Sequence, residues 1–279
     1  MPHTSEHVVS LIASAPLGRI EHVMGMPVVI ELSGGRAGQS ALDRAYRWLR
    51  WVDETFSTYR AESEISRLRQ GALAPADASF AVRSVLSLCE SLRKQTNGYF
   101  NAWADGSLDP SGLVKGWAVL GAARLLEQEG AAGYCVNAGG DLIARGPAPQ
   151  GGPWQIGIQH PTVPDAVAAV LAIDGAAVAT SGAYARGDHV LDPHTRLPAR
   201  GLLSVTVVGP DMPTADGYAT AAFAMGPAAE GWCRTCAGYE FLLMTEDEEM
   251  LSTPGMERFR VREEDGTRAD GSRARQEGG

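Results

Sequence analysis

Lysine is nearly missing from this 279-residue chain: of its 24 Lys plus Arg, only Lys94 and Lys115 are lysines. Cysteine is scarce as well, and Cys89, Cys135, Cys233 and Cys236 are too few and too unevenly spread to staple a domain of this size with disulfides. A reducing compartment is the expectation. No basic excess exists: the formal net charge of -9 argues against a surface that coats nucleic acid. An acidic protein that handles a phosphorylated ligand must concentrate positive potential locally or recruit a metal ion. No run approaches the roughly 20 apolar residues that span a bilayer, and the first residues lack the basic start of a leader. The expectation is a soluble, cytoplasmic chain with no transmembrane segment and no nucleic-acid partner. The G-x-x-x-x-G-K-[ST] and G-x-G-x-x-G signatures are also missing, which removes the commonest NTPase and dinucleotide folds.

What is there suffices for a substantial core, with 44% hydrophobic and 20% charged residues. Alternation from Arg19 to Leu32 predicts a strand with an irregularity at Gly25. Helical spacing follows at Leu42, Tyr46, Leu49, Val52 and Phe56. A short helix is expected from near Glu62 to before Gly71, and a longer one within Asp77 to Gly98 with Ser79 as its N-cap. "LDPSGLVKGWAV" opens another helix that runs to Gly130. From Tyr134 the pattern turns to short Val- and Ile-rich strands, and helix returns at Thr214 to Gly226. Helices and strands are grouped more than alternated, which predicts α+β. The tail 263–279 has almost no apolar residues and is expected to be disordered beyond a domain of residues 1–262.

Four clusters could carry chemistry. In "TADGYAT", with Thr214 as N-cap, Asp216 and Thr220 stand one turn apart and offer hard oxygen ligands to Mg2+; spacing alone favours a carboxylate that only complements the helix dipole. In "LDPSGLVKG", helix N-terminal amides and Lys115 form a possible anion site, while a solvated lysine after a capping Asp109 reads as well. The Gly139–Gly140 pair reads first as a hairpin turn, though it permits close approach of a flat ligand. In "GDHVLDPHTR", His189 and His194 are candidate bases near a phosphate. "CRTC", Cys233 to Cys236, reads as a structural pair on one helix face rather than a redox or zinc motif.

Taken in order, "HVMGMPVVI", "FSTYRAESEISRLR", "NGYFNAW", "LDPSGLVKGWAV", "NAGGDLIARG", "WQIGIQHP", "ATSGAYARGDHVLDPHTR" and "SVTVVGPDMPTADGYATAAFAMG" resemble the ApbE family of FAD:protein FMN transferases over about nine tenths of the chain. The resemblance implies a single α+β, T-fold-related domain with mixed or antiparallel sheets and flanking helices. It implies Mg2+-dependent transfer of FMN from FAD, the substrate, to a Ser or Thr hydroxyl of an acceptor flavoprotein, with AMP released. FAD hydrolysis to FMN and AMP, or flavin binding without turnover, are the alternatives. By position it implies Asp216 and Thr220 as metal ligands with the Gly112 carbonyl, and FAD contacts from Met24, Tyr59, Tyr99, Phe100, Asn101, Asp109, Lys115 and Leu191. His189 matches a histidine that helps deprotonate the acceptor. The chain departs from the pattern at Asn101, where Asp is usual, and in having only "ADGS" between Trp103 and Leu108.

Overall fold

The computed structural model describes residues 17–182 and 190–261. The 263–279 tail and His189 therefore lie outside the described residues. The first apolar alternation forms two strands rather than one irregular strand. β1 (Leu17–Val23) and β2 (Met26–Leu32) pair antiparallel with Val23 opposite Met26, leaving Met24 and Gly25 as the turn. Both turn residues have positive φ, 56° and 75°, the geometry whose twist matches the flanking strands. Met at the first of these positions carries no turn signal, so the alternation reads straight through it.

The helices α1 (Gln39–Phe56), α2 (Glu64–Arg69), α3 (Phe80–Gln95) and α4 (Ser111–Gln128) follow. α1 buries Leu42, Tyr46, Leu49, Val52 and Phe56, the stripe its spacing predicts. Ser63 and Ser79 cap α2 and α3, their side chains accepting from the Ser66 and Val82 N–H groups. Then come β3 (Tyr134–Ala138), β4 (Asp141–Arg145), β5 (Trp154–Gln159), β6 (Val167–Ile173), β7 (Ala176–Gly182), β8 (Leu191–Asp192), β9 (Leu197–Pro198) and β10 (Leu202–Gly209). The chain continues through α5 (Met212–Met225), α6 (Ala229–Cys233), β11 (Glu240–Thr245) and β12 (Met250–Ser252).

The main sheet has the order β1-β2-β3-β4-β7-β10-β11-β12, and every neighbouring pair is antiparallel. Strand alternation divides its side chains between two cores. Val28, Ile30, Val136, Ile143, Val205, Val207 and Phe241 join the helices in the larger one. Leu142, Ala144, Val178, Val208 and Leu242 join Trp154, Ile158, Leu171 and Ile173 of the β5–β6 hairpin in the smaller. The architecture is a mixed α+β domain, as expected, with helices on one face and a hairpin on the other.

α4 and α5 pack against each other and on the sheet. Both are rich in Ala and Gly and buried on several faces, so their backbones approach closely. A Cβ at Gly116 would sit 2.9 Å from the Met212 carbonyl oxygen and 3.0 Å from Asp216 Cβ. Cys233 ends α6 and Cys236 lies in the turn after it, both as free thiols packed against the main core. Among the described residues, no helix is long and apolar enough to cross a membrane.

Candidate active site

α5 begins one turn earlier than its sequence suggests. Asp211, not Thr214, is the N-cap: its Oδ2 accepts from Thr214 N at 3.1 Å and from Thr214 Oγ1 at 2.6 Å. Two capping residue types stand three positions apart, and Pro213 between them suits the first helical turn. Asp216 thereby moves into the second turn. It keeps Thr220 on its face, because the i, i+4 relation does not depend on where the helix starts.

α4 starts at Ser111, with Pro110 in the cap position and Asp109 Oδ1 accepting from Ser111 N at 2.9 Å. Asp109 N–H donates to the Ala102 carbonyl at 2.7 Å, which closes the short "ADGS" segment and sets Asp109 beside the Phe100–Asn101 stretch. Asn101 Oδ1 accepts from Trp103 N at 2.9 Å, so this residue shapes the same turn.

Lys115, one turn into α4, is not a solvated lysine. Its Nζ lies 2.7 Å from Asp141 Oδ2 and 4.0 Å from Asp216 Oδ1. Asp141 is fully buried and Asp216 is 2% exposed. Asp141 opens β4 directly after the Gly139–Gly140 turn, whose two positive φ values, 60° and 99°, set Ala138 opposite Asp141. The pair is therefore a hairpin turn, and the turn delivers a carboxylate. Asp141 Oδ1 accepts from Thr180 N at 3.0 Å, whereas Oδ2 has no donor in hydrogen-bond geometry among the described residues and faces the Lys115 ammonium by proximity. Asp216 Oδ2 accepts from Gly116 N at 2.9 Å. In a regular helix that N–H points to the Gly112 carbonyl.

Burial, and next the Asp141 carboxylate, push the Asp216 carboxyl well above the ordinary carboxylate range; Lys115 and the Gly116 N–H oppose the rise. With both carboxyls ionised, two buried anions would stand against one ammonium, a balance that a bound cation offsets. Thr220 Oγ1 lies beside Gly112, 3.3 Å from where a Cβ of that residue would be, and 3.5 Å from Ser181 Oγ. Hard oxygen donors from two adjoining helices, beside a carboxyl that burial disfavours as a bare anion, fit a small divalent cation.

One cleft of about 1490 Å³ joins these groups to the rest of the expected site. Met24, Tyr59, Tyr99, Phe100, Asn101, Asp109, Gly112, Lys115, Leu191, Asp216 and Thr220 all line it. Phe100 is buried against Gly112, and Tyr59, 97% exposed, stands at the rim. Tyr99 meets His194 edge-on at 4.5 Å, and His194 Nε2 is 3.1 Å from the Asn97 carbonyl oxygen. His194 thus fastens the β8–β9 turn to the loop after α3. Asp141 and Ser181 belong to the cluster but not to the set the motifs marked. The Gly-Gly-Asp order fixes where Asp141 stands after the turn, but nothing local in it marks a partner on α4.

Fold and cluster together define an α+β protein with a large cleft lined by a buried carboxyl, Asp216, with Lys115 and Thr220 beside it. The profile of the ApbE family matches residues 24–106 and 103–243, two pieces that meet where the chain is short. The chain belongs to the ApbE family. It is 41% identical over 130 residues to the FAD:protein FMN transferase of Klebsiella pneumoniae and 42% over 129 residues to that of Salmonella typhimurium. Each match takes in 43% of this chain and only 37% of the relative. Among solved structures, the flavin transferase ApbE from Vibrio cholerae superposes with a TM-score of 0.77 at 22% identity, covering 87% of this chain and 98% of that one. The ApbE protein of Thermotoga maritima also gives 0.77 at 22% identity, over 88% and 99%. These likenesses extend the family fold across the chain.

Proposed function

We propose that this chain transfers FMN from FAD to a Ser or Thr hydroxyl of an acceptor flavoprotein. The observation that carries the reading is the meeting of Asp216 and Thr220 of α5 with Gly112 and Lys115 of α4 in one cleft, in a member of the ApbE family. The cleft exceeds the roughly 300–1,000 Å³ typical of small-ligand pockets, which suits an extended dinucleotide with room for an acceptor segment.

Asp216, Thr220 and the Gly112 carbonyl are the proposed Mg2+ ligands. The ion would supply positive charge to the pyrophosphate, as an acidic protein requires. Lys115 adds a second cation at the cleft floor. Met24, Tyr59, Tyr99, Phe100, Asn101, Asp109 and Leu191 give FAD a wall of mixed aromatic and polar character. The acceptor oxygen attacks the FMN phosphorus, forming the phosphoester as the bond from that phosphorus to the bridging pyrophosphate oxygen breaks. AMP departs with the bridging oxygen, and the hydroxyl proton passes to a base, the role assigned to His189.

The test is incubation of the purified protein with FAD, Mg2+ and a candidate acceptor flavoprotein, followed by mass spectrometry of the acceptor. The expected product carries FMN on one Ser or Thr, with AMP in equal amount. AMP formed at the same rate without acceptor would replace transfer with FAD hydrolysis. Tight FAD binding with no AMP would leave a flavin-binding protein.

A further inference from the structure

Asp141 has no part in the bond changes above, yet it is fully buried beside the cation-fitting cluster. Its place is fixed by backbone. The β3–β4 turn ends immediately before it, and the Thr180 N–H of β7 holds Oδ1 at 3.0 Å. Lys115, in contrast, reaches the cluster on a flexible four-carbon stem, and its ammonium could compensate either carboxylate. It sits 2.7 Å from Asp141 Oδ2 and 4.0 Å from Asp216 Oδ1.

We infer that Asp141 is a positioning residue that holds the Lys115 ammonium off Asp216 and so leaves the Asp216 carboxylate to a divalent cation. The inference rests on the reading of Asp216 as a metal ligand. Asp216 Oδ1, 4.0 Å away, is the other carboxylate within reach of the Lys115 ammonium among the described ion pairs. A lysine paired there would be a built-in competitor, occupying with its own charge the oxygens a metal needs. The sequence order Gly-Gly-Asp at the start of β4 then has a purpose beyond the turn, since the rigid hairpin aims an acceptor for the lysine from the sheet side while α5 presents the metal ligand from the helix side.

The experiment measures Mn2+ binding to the full, FAD-free chain by electron paramagnetic resonance, a readout independent of turnover. Asp141→Asn keeps an oxygen for the Thr180 N–H but removes the charge. It should weaken Mn2+ binding by about 10-fold or more, the scale on which partners of metal ligands act. Adding Lys115→Met to Asp141→Asn should restore most of the loss, and Lys115→Met alone should bind Mn2+ at least as tightly as the parent. Parental affinity in Asp141→Asn overturns the inference. So does a double variant as weak as Asp141→Asn, which would mean that Asp141 only braces the sheet. Weaker binding in Lys115→Met overturns it too, whether or not the Asp141 variants fold. A parent that binds Mn2+ no better than Asp216→Asn overturns the metal reading itself, and this inference with it.

Discussion

At the scale of single residues, Asp216 concentrates the consequences of burial. Its carboxyl is raised above the ordinary value of 3.8, so between that value and the raised one the metal-free folded state binds more protons than the unfolded chain. Stability then falls as pH rises from about 4 through the raised value, because in that window the folded form binds more protons. Urea midpoints measured in EDTA should therefore decline as pH rises above about 4, and Asp216→Asn should flatten the slope; equal slopes would refute the assignment to this carboxyl. Asp216→Ala should abolish Mg2+-stimulated AMP release from FAD with the fold kept, and unchanged stimulation would remove Asp216 from the metal site. Asp216 and Thr220 were legible in sequence as an i, i+4 pair, since helix geometry relates them whatever the tertiary context. Asp141 was not, because nothing local connects a residue at the start of β4 with a lysine on α4.

At the scale of elements, the site depends on how near α4 comes to α5. Gly116 sets that distance, and its N–H reaches Asp216 only because no side chain intervenes. Gly116→Ala should cost about 1–3 kcal/mol, the usual range for overpacking a tight contact, and should lower Mn2+ affinity alongside stability in chemical denaturation. A variant with parental stability and affinity would show that the helices can part without consequence. The β1–β2 turn predicts the opposite trade. Met24 lines the cleft while holding a left-handed conformation that costs an L-residue about 1–2 kcal/mol and Asn less. Met24→Asn should raise the unfolding free energy and weaken FAD binding in fluorescence titration, whereas loss of stability would exclude strain at this turn. The hairpin itself escaped the sequence pattern because Met24 disguises the turn. Ser79 was readable as a cap because it bonds within its own first turn; the Ser63 cap went unmarked, and the α5 cap is Asp211 rather than the expected Thr214.

At the scale of the whole molecule, ligands that bind only the folded cleft stabilise the domain by mass action, about 2.7 kcal/mol at 100 times Kd. For a domain of this size each kcal/mol moves Tm by about 2–4 °C, so saturating FAD with Mg2+ should raise Tm by roughly 5–10 °C. The FAD shift should shrink in EDTA, and an equal shift with and without Mg2+ would uncouple the flavin from the metal. The cysteines make a second whole-molecule statement. Burial pushes the Cys89 thiol up to about 12, and this 2%-exposed group should be labelled by a thiol reagent at neutral pH only as the protein unfolds.

The sequence by itself determined what short-range physics governs: apolar periodicity marked the helices and strands, Ser79 the start of α3, and hydroxyl and carboxylate spacing the Asp216–Thr220 face. It also carried the motif order by which the family was legible. Tertiary structure alone decided the charge arrangement. Gly116 and Asp216 are 100 residues apart and share a hydrogen bond, and Lys115 chose Asp141 over Asp216. A charge's partner in a dry interior follows from which backbone stands beside it and how firmly it is held, and no local pattern encodes that.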